Sequence, residues 1–211
     1  MAVNTAVVCV ECQDGVLGER SVLPALGADA APLIKNIARL VDGARTAGIQ
    51  VVHATFGGLL GTPVSTAPIW RRLAERTAGW TPDHPATAVL PQLSHPDDLV
   101  LPRRHGLSPT WRTELLPILR DLGIGTIVLA GVSLNLALPM AAAEAGHEGF
   151  TVVVPRDAVA GTPAEYGEAV LANTMRMLAR ITTTDELLQS WRATPEIRPL
   201  GPATPGRAGS E

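Results

Sequence analysis

The sequence predicts a doubly wound α/β fold, a three-layer sandwich whose middle layer is a six-stranded parallel sheet. Three observations predict it. Short runs rich in Val, Ile and Thr alternate with amphipathic stretches. The runs are apolar throughout rather than at every second position, so both faces of each strand are covered, as in a parallel sheet. No internal repeat or linker interrupts the pattern before residue 193. Crossovers in such a sheet are right-handed.

The first element, "TAVVCVE" (5–11), is a β-branched run suited to a buried strand. "APLIKNIARLVDGARTAG" (31–48) spaces Leu33, Ile34, Ile37, Leu40, Val41 and Ala44 as one helix face, with Pro32 in the first turn and Gly48 at the C-terminal cap. "IQVVHATF" (49–56) is the second strand. Residues 57–98, rich in Gly, Pro, Thr and Trp, hold at most a short helix around Trp70–Arg76. "DLVLPR" (98–103) is a short third strand. "RTELLPILRDLGI" (112–124) reads as a helix capped by Thr113, with Pro117 where a missing N–H does little harm. "GTIVLAGV" (125–132) is the fourth strand, and "LALPMAAAEAGHEG" (136–149) a helix of small residues that can approach the sheet or a second subunit closely. A fifth strand (150–159), a helix (163–178), a last strand and a helix capped by Thr184 complete the domain, residues 1–192. The Pro-, Gly- and Ser-rich residues 193–211 predict a mobile tail.

Composition narrows the function classes. A chain of 211 residues with 46 % hydrophobic and 18 % charged residues suits one globular domain with a sizeable core. A net charge of −3 with no basic run argues against a nucleic-acid partner or an anionic membrane surface. No apolar run has the length of a membrane span. "MAVNTAVVCV" lacks the charged start of a signal peptide, so a cytoplasmic location is expected. The two cysteines, Cys9 and Cys12, form a C-x-x-C. They lie on or beside a strand, where positions three apart face opposite ways, not at a helix N-terminus that would activate a thiol. With no second pair, a zinc site is not expected.

In an open parallel sheet the site lies beyond the carboxyl ends of the strands. That rule selects Glu11, Gln13 and Asp14 after the first strand, and His53, Thr55 and Phe56 at the second. It selects Arg103, Arg104, His105, Ser108 and Trp111 after the third, Ser133, Asn135 and Ala137 after the fourth, and Arg156 and Asp157 after the fifth. A carboxylate, guanidinium groups and histidines converge on one edge.

Over roughly residues 4–191 these pieces resemble the isochorismatase-like cysteine hydrolases, which include nicotinamidases and N-carbamoylsarcosine amidohydrolases. "VVCVECQDGV" matches the family's opening strand, with Glu11 at its Asp and Gln13 at its Gln. "RHGLSPTWRTEL" matches its K-x-x-x-S pattern and Thr-capped helix, with Arg104 at the lysine, Ser108 at the serine and Thr113 at the cap. "GVSLNLA" matches its G-V-[ST]-x-x-x-C, with Ala137 at the cysteine. Asp157 and Ala158 match its "DA". No single piece is specific; the ordered set is.

The resemblance implies a hydrolase of small molecules, homodimeric or tetrameric, with site residues sometimes lent by a neighbour, and a cis peptide near Val132–Ser133. It implies no cofactor. Family members that bind a metal use an Asp-x-His pair and a later His; this chain has no Asp-x-His, so no metal is expected.

The departures fall on the family's chemistry, in which the Asp activates the thiol, the Lys supports both, and helix N-terminal amides hold the oxyanion. An alanine cannot attack, and loss of one member of such a unit can cost roughly 10⁶ in turnover. A thiol route is therefore excluded. Glu for Asp and Arg for Lys keep the sign of each charge, and arginine offers a planar fork suited to a carboxylate.

The catalytic candidates are Glu11 as acid or base, Arg104 as its electrostatic partner or an anion binder, and Ala137 at the vacated nucleophile position. Arg103 competes with Arg104 for the inward direction. Gln13, His53, Phe56, His105, Trp111, Ser133 and Asn135 are candidate substrate contacts. A backbone-satisfied histidine, a core tryptophan and ordinary turn chemistry are the plainer readings of several of them. His84, His95 and His147 read as surface residues.

Two functions remain. One is a Cys-independent hydrolase or lyase, for which the resemblance offers a parallel: its vinyl-ether branch uses an acid residue without a nucleophilic cysteine. The other is an inactive member that binds a small ligand or a protein partner. A pocket with Glu11 and Arg104 facing open space would favour either; one filled by Leu134, Leu136 or Trp111 would favour neither.

Overall fold

A computed structural model describes residues 4–28, 30–61 and 66–193. The predicted tail therefore lies outside the described residues, apart from Ala193. Seven strands form one parallel sheet: β1 (Thr5–Val10), β2 (Gln50–Phe56), β3 (Leu99–Arg103), β4 (Thr126–Val132), β5 (Thr151–Pro155), β6 (Val159–Ala160) and β7 (Arg180–Thr182). Six of them run β3-β2-β1-β4-β5-β7, and β6 adds a two-residue pairing to β4. The helices are α1 (Asp14–Leu17), α2 (Pro24–Gly27), α3 (Ala30–Thr46), α4 (Pro68–Arg76), α5 (Leu115–Asp121), α6 (Ala137–His147), α7 (Ala164–Val170), α8 (Arg176–Leu178) and α9 (Thr184–Arg192).

The sheet is covered on both faces, which is why its strands show no alternation of polar and apolar residues. Val7 and Cys9 of β1 pack with Leu33, Ile37 and Leu40 of α3 and with Leu187 of α9. Ala6, Val8 and Val10 pack with Leu115 and Leu119 of α5, Leu138 and Ala141 of α6, and Val170 of α7. Helix α3 buries the stripe read from its spacing, and Gly48, at φ +67°, ends it in a conformation that costs glycine little.

Some boundaries differ from expectation. The first full turn of α5 begins at Leu115 with Glu114 at its N-cap position, and Thr113 caps only weakly: its hydroxyl donates to Pro109 O at 2.8 Å and accepts from Leu115 N at 3.5 Å. Thr183, not Thr184, caps α9: its hydroxyl accepts from Glu186 N, and Glu186 returns the bond to the Thr183 N–H. The helix expected over 163–178 carries a π turn at Leu171–Met175 between α7 and α8. The two cysteines share one face, both in the α3-side core, because Cys12 lies past the end of β1 where strand alternation no longer applies.

The strand order reverses between β1 and β4, the place where ligands sit in such sheets. Gly131, at φ +102°, closes that place tightly: a Cβ there would stand 2.2 Å from Val10 O. The absence of a side chain lets the ends of β1 and β4 meet, so that Glu11 and the turn before α6 share one cavity.

Candidate active site

The cavity beyond β1 and β4 has a volume of about 220 Å³. Glu11, Ser133, Asn135 and Ala137 line it from the sheet edge. Leu23 and Leu26 from α2 and its approach, Ile69 and Leu73 from α4, and Leu107 cover it. Leu136 lines the cavity without filling it, while Leu134 is buried in the core below. Sequence reasoning missed the covering residues. Their signal was the i, i+4 pair Ile69 and Leu73, set against Arg71, Arg72, Glu75 and Arg76 on the same short helix.

Glu11 lies just past β1 with φ +54°, an uncommon backbone for a side-chain-bearing residue, fixed in part by its N–H bond to Ala54 O at 3.0 Å. Its Oε1 accepts from Arg103 Nη2. Its Oε2 has no hydrogen-bond partner among the described residues. Arg103 closes β3 opposite Phe56, its side chain only 4 % exposed. Its guanidinium lies 5.4 Å from the Phe56 ring centre and donates from Nε to Gly106 O at 3.3 Å, while Nη1 is buried without a partner among the described residues.

The partner of Glu11 is thus Arg103, a correction to the assignment of Arg104. Leu99, Leu101 and Arg103 share the inward face of β3, and Arg104 is one residue past the strand. Arg104 donates to the carbonyls of Gly58 and Leu59, each at 3.4 Å, and lines a separate groove of about 270 Å³.

Beside the main cavity, Glu11 and Arg103 also line a space of about 30 Å³ walled by Phe56, Trp70 and Trp80. Trp70 and Trp80 stand with ring centres 5.9 Å from Phe56. Phe56 therefore shapes the Glu11–Arg103 pair and not the main cavity.

Ser133 comes after a cis peptide at Val132. Asn135 spends its amide on Thr162, donating to its carbonyl at 2.6 Å and accepting from its N–H at 2.9 Å. Ala137 opens α6; its N–H has no acceptor among the described residues, whereas the Leu138 N–H donates to Ser133 O and the Met140 N–H to Leu136 O, each at 3.1 Å, and Pro139 has no N–H. The Ala137 methyl lines the cavity where the resembled family has a thiol.

Four other candidates lie elsewhere. Gln13 is fully buried and clamps two loops: Nε2 donates to Phe56 O and Ala86 O, each at 3.0 Å, and Oε1 accepts from Phe56 N at 2.7 Å. Every one of those groups is spent on backbone, so Gln13 is no substrate contact. His53 sits mid-strand, 1 % exposed, bonded to Asp98 at 2.9 Å. His105 and Trp111 pack on each other with ring centres 5.8 Å apart, away from the cavity that holds Glu11. Asp157 is structural too, accepting from Thr184 N at the start of α9.

Neither cysteine lines the cavity that holds Glu11. Both are buried in the α3-side core. The Cys12 thiol is pushed well up by its hydrogen bond with Cys9 and by burial. Among the described residues no group of three or more His, Cys, Asp or Glu is placed to hold a metal ion. No helix among them is long and apolar enough to cross a membrane.

The fold and the sequence have known counterparts. The fold matches a cysteine hydrolase from Pseudomonas syringae pv. phaseolicola 1448A with a TM-score of 0.76 at 22 % identity, covering 91 % of this chain and 94 % of that one. In sequence the chain is 25 % identical to ureidoacrylate amidohydrolase RutB of Stutzerimonas stutzeri (strain A1501), over 93 % of this chain and 86 % of that protein. It is 26 % identical to maleamate amidohydrolase of Pseudomonas putida, over 89 % and 86 %. Residues 5–186 match the model of the isochorismatase domain. That span runs from the first residue of β1 into α9 and takes in the whole cavity, so the chain belongs to the isochorismatase family of hydrolases.

Proposed function

We propose that this protein hydrolyses a small molecule without a nucleophilic cysteine, using Glu11 as acid and base. One observation carries the reading. Glu11 Oε2 and Arg103 Nη1, both without partners among the described residues, belong to the two residues that line a 30 Å³ space beside the main cavity. Room for the centre of one water takes about 10–15 Å³, and the water needs polar partners to stay.

Water held beside Glu11 attacks the carbonyl carbon of a substrate in the main cavity. Glu11 takes the proton from that water. The oxyanion that forms accepts a hydrogen bond from the Ala137 N–H, which opens α6. The bond to the leaving nitrogen breaks, and Glu11 returns the proton to it. Arg103 holds Glu11 in place through Oε1. Ala137 takes no part; its small methyl leaves room for substrate. The similarity to ureidoacrylate and maleamate amidohydrolases makes amides the first substrates to try.

A second reading has its own support. Ala137 removes the family's nucleophile, and a ligand could be held in the same cavity and never consumed. Thermal-shift screening of wild type and Glu11→Gln against small amides, vinyl ethers and carboxylates, with product analysis of each hit, separates the two. A compound consumed by wild type, and bound but consumed about 10²–10⁴ times more slowly by Glu11→Gln, supports the hydrolase. A compound that stabilises both and is never consumed makes the chain a binder.

A further inference from the structure

The lining of the Glu11 cavity is uneven in charge. Its cover is made of aliphatic side chains: Leu23, Leu26, Ile69, Leu73 and Leu107, joined by Leu136 from the sheet edge. Its polar groups come from the ends of β1 and β4 and from Thr162. Of these, the Asn135 amide is spent on the backbone of Thr162. Glu11 is the one charged residue among the described residues that line it, and no Lys, Arg or His joins it there. The charge of Glu11 is already met by Arg103, which lines the adjoining space. Arg104, the next residue along from Arg103, is held to two carbonyls and faces another groove.

An anionic ligand would lose its hydration here, find no cation in the lining, and lie near a carboxylate. A cationic ligand would find a carboxylate whose charge Arg103 already balances. An uncharged ligand meets neither problem and gains from each apolar group it buries against the cover. The volume of about 220 Å³ is below that of pockets for drug-sized molecules, roughly 300–1,000 Å³.

We propose that the site takes an uncharged, metabolite-sized compound, an aliphatic or aromatic tail on a neutral polar head such as a primary amide, and rejects its carboxylate-bearing analogues. This rests on the reading that the Glu11 cavity is the substrate site. The head would sit by Glu11, Ser133 and the start of α6, and the tail under Leu23, Ile69 and Leu73.

The test is calorimetric titration of the wild-type protein with three primary amides. Hexanamide carries a neutral tail, adipamate the same tail ending in a carboxylate, and acetamide no tail. Hexanamide is expected to bind at least about tenfold more tightly than either of the others, since each buried methylene adds roughly three- to fourfold. Leu73→Arg, which puts a cation in the cover, is expected to shift the preference toward adipamate. Equal affinities, tighter binding of adipamate to wild type, or no binding of any of the three would overturn the proposal. Binding is read apart from turnover, so the two readings fail separately. Hexanamide bound but never hydrolysed counts against the hydrolase and leaves this inference standing. Adipamate hydrolysed by wild type and not by Glu11→Gln does the reverse.

Discussion

Glu11 and Asp98 are both carboxylates held by an arginine near the edge of the sheet, and they differ in what is left over. Asp98 is 4 % exposed and fully engaged. Its Oδ1 accepts from Arg45 Nε at 3.3 Å; its Oδ2 accepts from Arg45 Nη2 at 2.6 Å and bonds His53 Nε2 at 2.9 Å. Arg45 also donates to Leu93 O and Asp42. This cluster ties β2, α3 and the entry to β3 together, and its carboxylate has nothing left to offer a ligand. Glu11 gives one oxygen to Arg103 and keeps the other, next to a cavity. A buried ion pair with every lone pair used is structure; one with an unused oxygen at a cavity is a place for chemistry. The same residue types thus serve two ends, and the count of satisfied atoms tells them apart.

The comparison can be broken by placing the isosteric amide at each site. Glu11→Gln is expected to lose hydrolysis about 10²–10⁴-fold. Its carbonyl can still accept from Arg103 while the NH₂ turns to the cavity, so stability falls by only about 1 kcal/mol. Asp98→Asn has no such escape. Whichever way the amide turns, its NH₂ faces a donor of Arg45. A loss of about 3–5 kcal/mol in denaturant unfolding is expected, with activity per folded molecule intact. Next in size, Arg103→Lys replaces a fork with a point charge and is expected to lower turnover about tenfold, while Arg104→Lys stays within about twofold. Equal effects of the two would restore Arg104 to the site.

Acid titration sharpens the comparison further. His53 is held below the ordinary imidazole range by burial, helped by the Arg45 charge and opposed by the bond to Asp98. Burial would raise Asp98, but the hydrogen bonds from Arg45 and His53 and the Arg45 charge outweigh it and hold it below the ordinary carboxylate range. Both groups bind a proton more readily in the unfolded chain, so the stability they contribute falls as pH falls. The His53 share begins to go below about pH 6.5 and the Asp98 share below about pH 3.9. Urea unfolding at pH 7.5 and 5.5 should show the first loss, and His53→Gln should flatten it. The smallest effect is chemical: iodoacetamide should label Ala137→Cys at the cavity and spare wild type, whose Cys9 and Cys12 are buried.

Much of this is legible in the sequence, for definite reasons. Fully apolar strands announce a sheet covered on both sides, and the stripe from Leu33 to Ala44 is the stripe α3 buries. Glu11, Ser133 and Ala137 are legible from their places just beyond the carboxyl ends of two strands. The alternation of Leu99, Leu101 and Arg103 on β3 carries the choice between the two arginines, but the resemblance to a lysine pattern points one residue further on. Gln13 and His53 are not legible. Each lies near the edge that holds the site, and only tertiary contacts show the Gln13 amide spent on Phe56 and Ala86 and the His53 Nε2 spent on Asp98. The aliphatic cover is hidden because it comes from short elements in Gly- and Pro-rich segments, where periodicity is too brief to read.

The most direct test measures activity and unfolding free energy together for wild type, Glu11→Gln and Asp98→Asn, with a hydrolysed amide as substrate. The account predicts that Glu11→Gln loses turnover and keeps most of its stability, while Asp98→Asn loses stability and keeps its turnover when folded. A Glu11→Gln protein that hydrolyses as fast as wild type, or that is destabilised as much as Asp98→Asn, would contradict it.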